Sequence, residues 1–195
     1  MDLHFDPLAH VYRLDGQVVP SVTQLIKVIG PDFSMVPPGV LENKRALGSA
    51  VHLACELDDE GDLDDDSLDP VLAPYVSAWR KFKAESGASI VMSEQQLAHP
   101  GLRFAGTLDR VVKTGDDVWL LDLKTSADPH ASYGVQLAGY EELLLAQEYD
   151  GEPIKRATLH LRADGGYRLH QFKNPNDFGA FRACLSIFYW KESSK

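Results

Sequence analysis

The chain has 195 residues, 44% hydrophobic and 25% charged, with a formal net charge of −10. That is enough chain for one domain with a sizeable core, and no apolar run reaches the ~18 residues a membrane span needs. The acid excess speaks against a broad basic surface of the kind nucleic acids reward, and two cysteines cannot supply a four-cysteine zinc or iron–sulfur centre.

The opening "MDLHFDPLAH" lacks a basic-then-apolar leader. A cytoplasmic protein without membrane association is therefore expected, with Cys55 and Cys184 as structural thiols. "HVYRLDGQVVPSV", His10 to Val22, reads as a hairpin turning at Asp15-Gly16. Ser21 and Gln24 form a candidate capping box for a short helix through about Ile29. After the proline-rich loop "PDFSMVPPGV" the pattern predicts a helix from about Leu41 to Leu57. "ELDDEGDLDDDSLD", Glu56 to Asp69, has nine acids and no base, and its 58–69 portion reads as a solvated, mobile linker.

A second helix, "PVLAPYVSAWRKFKAES", stops at Gly87, and "SIVMSEQQLAH" follows as a strand. "FAGTLDRVVKTGDDVWLLDLKTS" then gives two strands around a two-residue turn at Gly115-Asp116. Asp128-Pro129 resembles a cap and first helical residue, launching a helix to about Tyr149. "IKRATLHLRADGGYRLHQFK" reads as a hairpin turning at Gly165-Gly166, and "DFGAFRACLSIFYWKE" as a terminal amphipathic helix. The whole is expected to be a single α/β (α+β) domain, 1–195, with a mixed central sheet flanked by helices. Residues 1–40 would form its N-terminal hairpin and short helix.

The central hairpin carries two lone acids in apolar text. With Thr114 paired to Asp117, counting outward sets Asp109 against Asp122 and Thr107 against Lys124, and puts Asp122 and Lys124 on one face. Opposed residues have Cβ atoms ~5 Å apart, so two carboxylates there repel. A divalent cation between them reverses that sign, and hard carboxylate oxygens suit Mg²⁺ or Mn²⁺. A surface face balanced by Lys124 and Arg110 is the other reading the residues allow. Two helical pairs at i,i+4 spacing accompany the hairpin: Gly48 with His52, and Gln136 with Tyr140.

Taken together, Gly48…His52, Gly106-Thr107-Leu108-Asp109, Asp122-Leu123-Lys124 and Gln136…Tyr140 resemble the PD-(D/E)XK nuclease superfamily. Their order resembles its RecB-like and phage-type exonuclease branch. The motifs span about residues 45 to 140, and "YRLDGQVVPSVTQLI" is similar to the opening of phage-encoded members. The resemblance implies a restriction-endonuclease-like core, with 88–150 as the catalytic part. It implies a Mg²⁺-dependent deoxyribonuclease, more an exonuclease of recombination or repair than an endonuclease. A catalytically idle nucleic-acid-binding or assembly module is a third possibility. His52, Asp109, Asp122 and the Leu123 carbonyl would hold the metal, with Glu94 as a further candidate ligand. Lys124 would be catalytic, and Gln136 and Tyr140 would orient the site or contact DNA.

The four-cysteine cluster of some relatives is missing from this sequence, so no iron–sulfur cluster is expected. Lys44, Arg45, Arg80, Lys81 and Arg110 are candidate DNA contacts. A homo-oligomer and a recombination partner protein are further expectations. An acidic chain holds duplex weakly, and a closed ring around DNA, by analogy with phage exonucleases, would solve that.

Overall fold

The computed structural model describes residues 1–126, 128–147, 149, 151 and 153–194. Its first turn is the expected one. Asp15 and Gly16 have φ of +50° and +77°, the two positive values that a tight two-residue hairpin requires. They join β2 (Val11–Leu14) to β3 (Gln17–Val19), and β1 (Leu3–Asp6) pairs with the other edge of β2. The capping box forms as expected. Ser21 Oγ accepts from Gln24 N–H, the Gln24 side chain accepts from Ser21 N–H, and α1 (Val22–Leu25) runs on into a 3₁₀ turn over Ile26–Val28.

Helix α2 (Pro38–Glu60) starts and ends three residues outside the sequence estimate, and its C-terminus lies at Gly61. It therefore takes in the first acids of the block expected to be a linker. Asp58 and Asp59 are in the helix and ion-paired: Asp58 to Arg80 and Lys83 (2.6 and 2.8 Å), and Asp59 to Lys83 and Arg110 (2.6 and 2.8 Å). The reading of 58–69 as a uniformly solvated linker is corrected to that extent. Asp58 and Asp59 are matched by bases distant in sequence, on α3 (Ala73–Ser86) and in the sheet.

The main sheet has the order β4 (Ser89–His99), β5 (Phe104–Thr114), β6 (Asp117–Lys124), β7 (Ile154–Leu161), β8 (Tyr167–Phe172). Only β6 and β7 pair in parallel. A parallel neighbour needs a crossover, and α4 (Ala131–Leu145) supplies it. The expected Asp128-Pro129 start of α4 is overturned. His130, extended at φ −117°, is the cap, and its ring accepts from Ser132 N–H. The helix ends at Leu145, short of Tyr149, and the expected boundary at residue 150 lies outside the described residues.

The helices cover both faces of the sheet. α1, α4 and α5 (Asp177–Ser193) bury Val22, Leu137, Leu143 and Phe181 against Phe104, Leu108 and Leu120. On the other face α2 and α3 bury Val51, Trp79 and Phe82 against Leu121, Leu123 and Leu159. The N-terminal sheet attaches at the Ser21–Ala105 bridge, where Ala105 N–H donates to the Pro20 carbonyl at 3.0 Å. Both cysteines are buried and free. Among the described residues no helix is long and apolar enough to cross a membrane.

The contact between α4 and α5 is close at Gly139, where a Cβ would lie 2.5–2.9 Å from three Phe181 ring atoms. At Gly179 in α5 a Cβ would meet nothing within 4 Å. Gly139→Ala gains ~1 kcal/mol of helix propensity, but it overpacks an immobile ring at a cost of about 1–3 kcal/mol. Thermal unfolding should show Gly139→Ala melting a few degrees below wild type and Gly179→Ala at or above it. Equal shifts of the same sign would contradict this packing.

Candidate active site

The site lies where two ladders lose Asp109. On one side the register runs Ser93↔Arg110 and then Gln95↔Leu108, skipping Glu94 and Asp109. On the other it ends at Arg110↔Leu121, one pair before Asp109 and Asp122 would meet. From there β6 continues against β7 alone, as far as Lys124↔His160. Asp109 occupies the gap, and its Oδ2 accepts the Leu123 N–H at 2.7 Å. Glu94 opposite has φ +44°, a backbone state few non-glycine residues adopt. The expected apposition of Thr107 and Lys124 does not form. Thr107 pairs with Gln96, and its hydroxyl meets the Tyr12 hydroxyl at 2.6 Å.

Three donor groups converge here. Atoms of His52, Glu94 and Asp109 lie within 4.8 Å of one another. His52 Nδ1 is 3.5 Å from Asp109 and 3.8 Å from Glu94. Its Nε2 sits 3.0 Å from the Leu123 carbonyl; a carbonyl only accepts, so Nε2 carries the hydrogen and Nδ1 faces the acids. Carboxylate, carboxylate and imidazole fit a divalent ion. The Leu123 carbonyl, expected beside the ion, is engaged by His52.

Asp122 lies outside this cluster. Strand alternation sends Leu121 and Leu123 toward α2 and α3, and sends Leu120, Asp122 and Lys124 toward α4. Asp122 is 2% exposed. Its Oδ1 accepts from Gln136 Nε2 at 3.1 Å, and Oδ2 forms an ion pair with Lys124. Burial pushes its carboxyl up, against the pull of Lys124 and with help from Asp109. Lys124 is also raised: burial opposes its charge, but Asp122 and Asp109 outweigh it. The ammonium lies 5.0 Å from the Tyr133 ring centroid. Gln136 also reaches the Tyr140 hydroxyl at 3.3 Å. Gly106 completes this side, because a Cβ there would come 2.9 Å from the Tyr140 ring.

All the proposed site residues thus gather around one parting of strands, split between two helices. Glu94 and Asp109 meet His52 of α2, and Asp122 and Lys124 lie on the side of Gln136 and Tyr140 of α4. A cleft of about 380 Å³ opens over the first group, lined by Gly48, Ser49, His52, Glu94, Thr107 and Asp109. Gly48 leaves this wall bare, its nearest neighbour being Thr125 Oγ1, 3.8 Å from where a Cβ would sit.

Of the five candidate DNA contacts, Arg110 is withdrawn, being buried. Arg80 is exposed but paired with Asp58 and Asp65, and Lys81 is exposed with Glu85 3.9 Å away. Lys44 and Arg45 are exposed on the N-terminal half of α2. The sequence reading missed Asp59 and the buried His160, whose ring bonds Thr158 (2.9 Å) and the Ser126 carbonyl (2.7 Å) just past Lys124. Arg110 offered a signal, being a charge inside an otherwise apolar strand. His160 offered none that is local.

The charge around His52 has a pH consequence. Burial lowers its imidazole, but Asp109, Glu94 and Asp122 prevail and hold it at about 9, above the ordinary 6.5. A group raised on folding stabilises the fold fully below its unfolded value and loses that contribution as pH rises through the folded one. In EDTA, wild type should therefore lose stability relative to His52→Gln between about pH 6.5 and 9. Melting curves of both proteins at pH 6 and pH 9.5 measure this. Parallel curves would separate His52 from the acids.

The sequence profile of the PD-(D/E)XK nuclease superfamily matches residues 56–186. No curated protein matches the chain. Among solved structures, the chain is similar to an alkaline exonuclease, LHK-Exo, from Laribacter hongkongensis. The identity is 16% over 89% of this chain and 92% of that one, with a TM-score of 0.40. LHK-Exo in complex with dAMP gives 13% identity over 90% and 88%, with a TM-score of 0.49. With the profile covering well over half its length, this chain belongs to the PD-(D/E)XK nuclease superfamily.

Proposed function

We propose that this protein is a divalent-metal-dependent deoxyribonuclease that hydrolyses DNA phosphodiester bonds from ends, in recombination or repair. The observation that carries the reading is the juxtaposition of a three-group ion site with a buried Asp122–Lys124 pair across one strand parting. A buried ion pair of that kind weighs against an idle binding module, because taking both charges out of water is costly and a packed apolar pair would serve the fold as well. The exonuclease reading rests on the phage-type order of the four motifs. The oxygen-rich donor set favours Mg²⁺ or Mn²⁺.

His52, Glu94 and Asp109 would hold the ion, with Asp122 at its flank. When bound, the ion supplies polarisation of the scissile phosphate and a more acidic attacking water. The protein's own groups do the rest. Lys124 keeps its proton and places a fixed positive charge where negative charge builds on the phosphoryl oxygens. Gln136 donates to Asp122 and keeps that carboxylate oriented, while Tyr140 braces Gln136. Water oxygen bonds to phosphorus and gives up one of its protons to solvent, the bond to one ester oxygen breaks, and that oxygen leaves after taking up a proton from solvent. Lys44 and Arg45 would meet the backbone as it enters the cleft.

Two substrates test the proposal. With Mg²⁺, linear duplex should shorten while covalently closed circles survive, and EDTA should stop the reaction. Lys124→Ala should lower turnover by at least ~100-fold and leave Mn²⁺ binding within a few-fold of wild type, since an ammonium is not a ligand. Circles nicked as fast as linear DNA shortens would make the enzyme an endonuclease of the same fold. No metal-dependent cleavage of either would reject the nuclease reading.

A further inference from the structure

Arg110 follows Asp109 directly in β5. In a regular strand consecutive side chains point to opposite faces, yet both residues reach toward α2: Asp109 to His52 and Arg110 to Asp59. Arg110 has a fully buried side chain. Its Nε donates to Asp59 Oδ2 at 2.8 Å. Its Nη1 donates to Glu94 Oε1 at 2.8 Å and to the Asp109 carbonyl at 2.7 Å. Its Nη2 is buried with no partner. Asp59 is held independently, Oδ1 accepting from Trp79 Nε1 at 2.8 Å and Lys83 Nζ at 2.6 Å. A buried charge with one partner removed is costly, so the whole chain of contacts stands or falls together.

We infer that Asp59 and Arg110 are positioning residues for the ion site: the C-terminal end of α2 fixes the guanidinium, and the guanidinium fixes the Glu94 carboxylate beside His52 and Asp109. The inference rests on reading those three as the metal centre. With Asp59 holding Nε, Nη1 alone serves Glu94, and it does so at Oε1, the same oxygen that lies 3.8 Å from His52 Nδ1, so that oxygen is held at the site with a lone pair left for an ion. Without that hold, the unpartnered Nη2 can turn onto Glu94 as well and form a two-point fork. The fork would occupy both carboxylate oxygens and draw Glu94 out of the site. Asp59→Asn is the discriminating change. The amide oxygen can still accept from Trp79, while the amide N–H₂ faces the Arg110 donor and cannot replace the lost bond.

Calorimetric titration with Mn²⁺ should be run on wild type, Asp59→Asn, Arg110→Lys and Glu94→Gln. Glu94→Gln should bind more weakly, because a charged ligand is gone. Asp59→Asn should weaken Mn²⁺ by at least about 10-fold, the scale seen when groups that orient ligands are lost. Its turnover on linear DNA should recover as Mn²⁺ is raised, with the KM for DNA unchanged; damaged folding would not be repaired by ion concentration. Arg110→Lys keeps the charge but cannot span Asp59 and Glu94, and should behave alike. It decides the matter if Asp59→Asn does not fold. Unchanged binding in Glu94→Gln would sink the metal-centre reading itself. Weaker binding in Glu94→Gln with wild-type binding in folded Asp59→Asn or Arg110→Lys would sink only the positioning role.

Discussion

The separation of β5 from β6 after Arg110↔Leu121 is the constraint on which the rest depends. A continuous ladder would close the backbone groups of Asp109, Asp122 and Leu123 into hydrogen bonds with each other, leaving nowhere for an ion or a phosphate. The separation leaves a strand N–H without a ladder partner, and a buried orphan of that kind is expensive. Asp109 resolves this by accepting the Leu123 N–H with its own carboxylate. β6 then keeps its other edge by pairing with β7 in parallel, which gives the opened strand a rigid wall. The gap is thus a fixed feature of the sheet.

Around that gap, charge is arranged in two separate circuits. On the α4 side, Lys124 compensates Asp122, and Gln136 supplies a neutral donor. On the α2 side, Arg110 compensates Glu94 and is itself compensated by Asp59, with Lys83 behind. Asp109 and His52 stand between the circuits. The acid excess of the chain therefore has two characters. Asp62, Asp64, Asp65, Asp66 and Asp69 lie beyond the end of α2, and one of them, Asp65, meets Arg80. Asp58 and Asp59, only a few residues earlier, are counter-ions with little-exposed side chains, Asp58 for Arg80 and Lys83 and Asp59 for Lys83 and Arg110.

The sequence revealed those parts of the fold whose signals are local. Turn chemistry at Asp15-Gly16 and Gly115-Asp116 set two hairpins in the right register, and Ser21 with Gln24 announced α1. Period-two spacing correctly put Asp122 and Lys124 on one face, and i,i+4 spacing correctly joined Gln136 to Tyr140. What escaped was non-local. Asp59 and Arg110 are 51 positions apart, so an acidic run looked like solvated linker. Asp128-Pro129 carried a helix-start signal, but the helix begins at Ala131, with extended His130 in the capping role. The expected Asp109–Asp122 apposition failed for a similar reason: strand counting could oppose the two acids, but it could not foresee that the ladder ends one pair earlier, with Asp109 beside His52 and Asp122 bonded to Gln136.

The parallel pairing of β6 with β7 also shapes how the chain can assemble. The β5–β6 hairpin closes over two residues, whereas Asp122 and Thr158 are register partners 36 positions apart. Closing a long loop costs more entropy than closing a short one, though the cost grows only slowly with length, and non-local strand pairing is slow for that reason. Glu94, Asp109 and Asp122 all sit on the locally closed meander of β4, β5 and β6. The supports of Lys124, from Tyr133 to the His160–Ser126 contact, depend on α4 and β7 crossing back to the sheet. The acids therefore share one short-range folding unit, and the surroundings of the lysine belong to the long-range one.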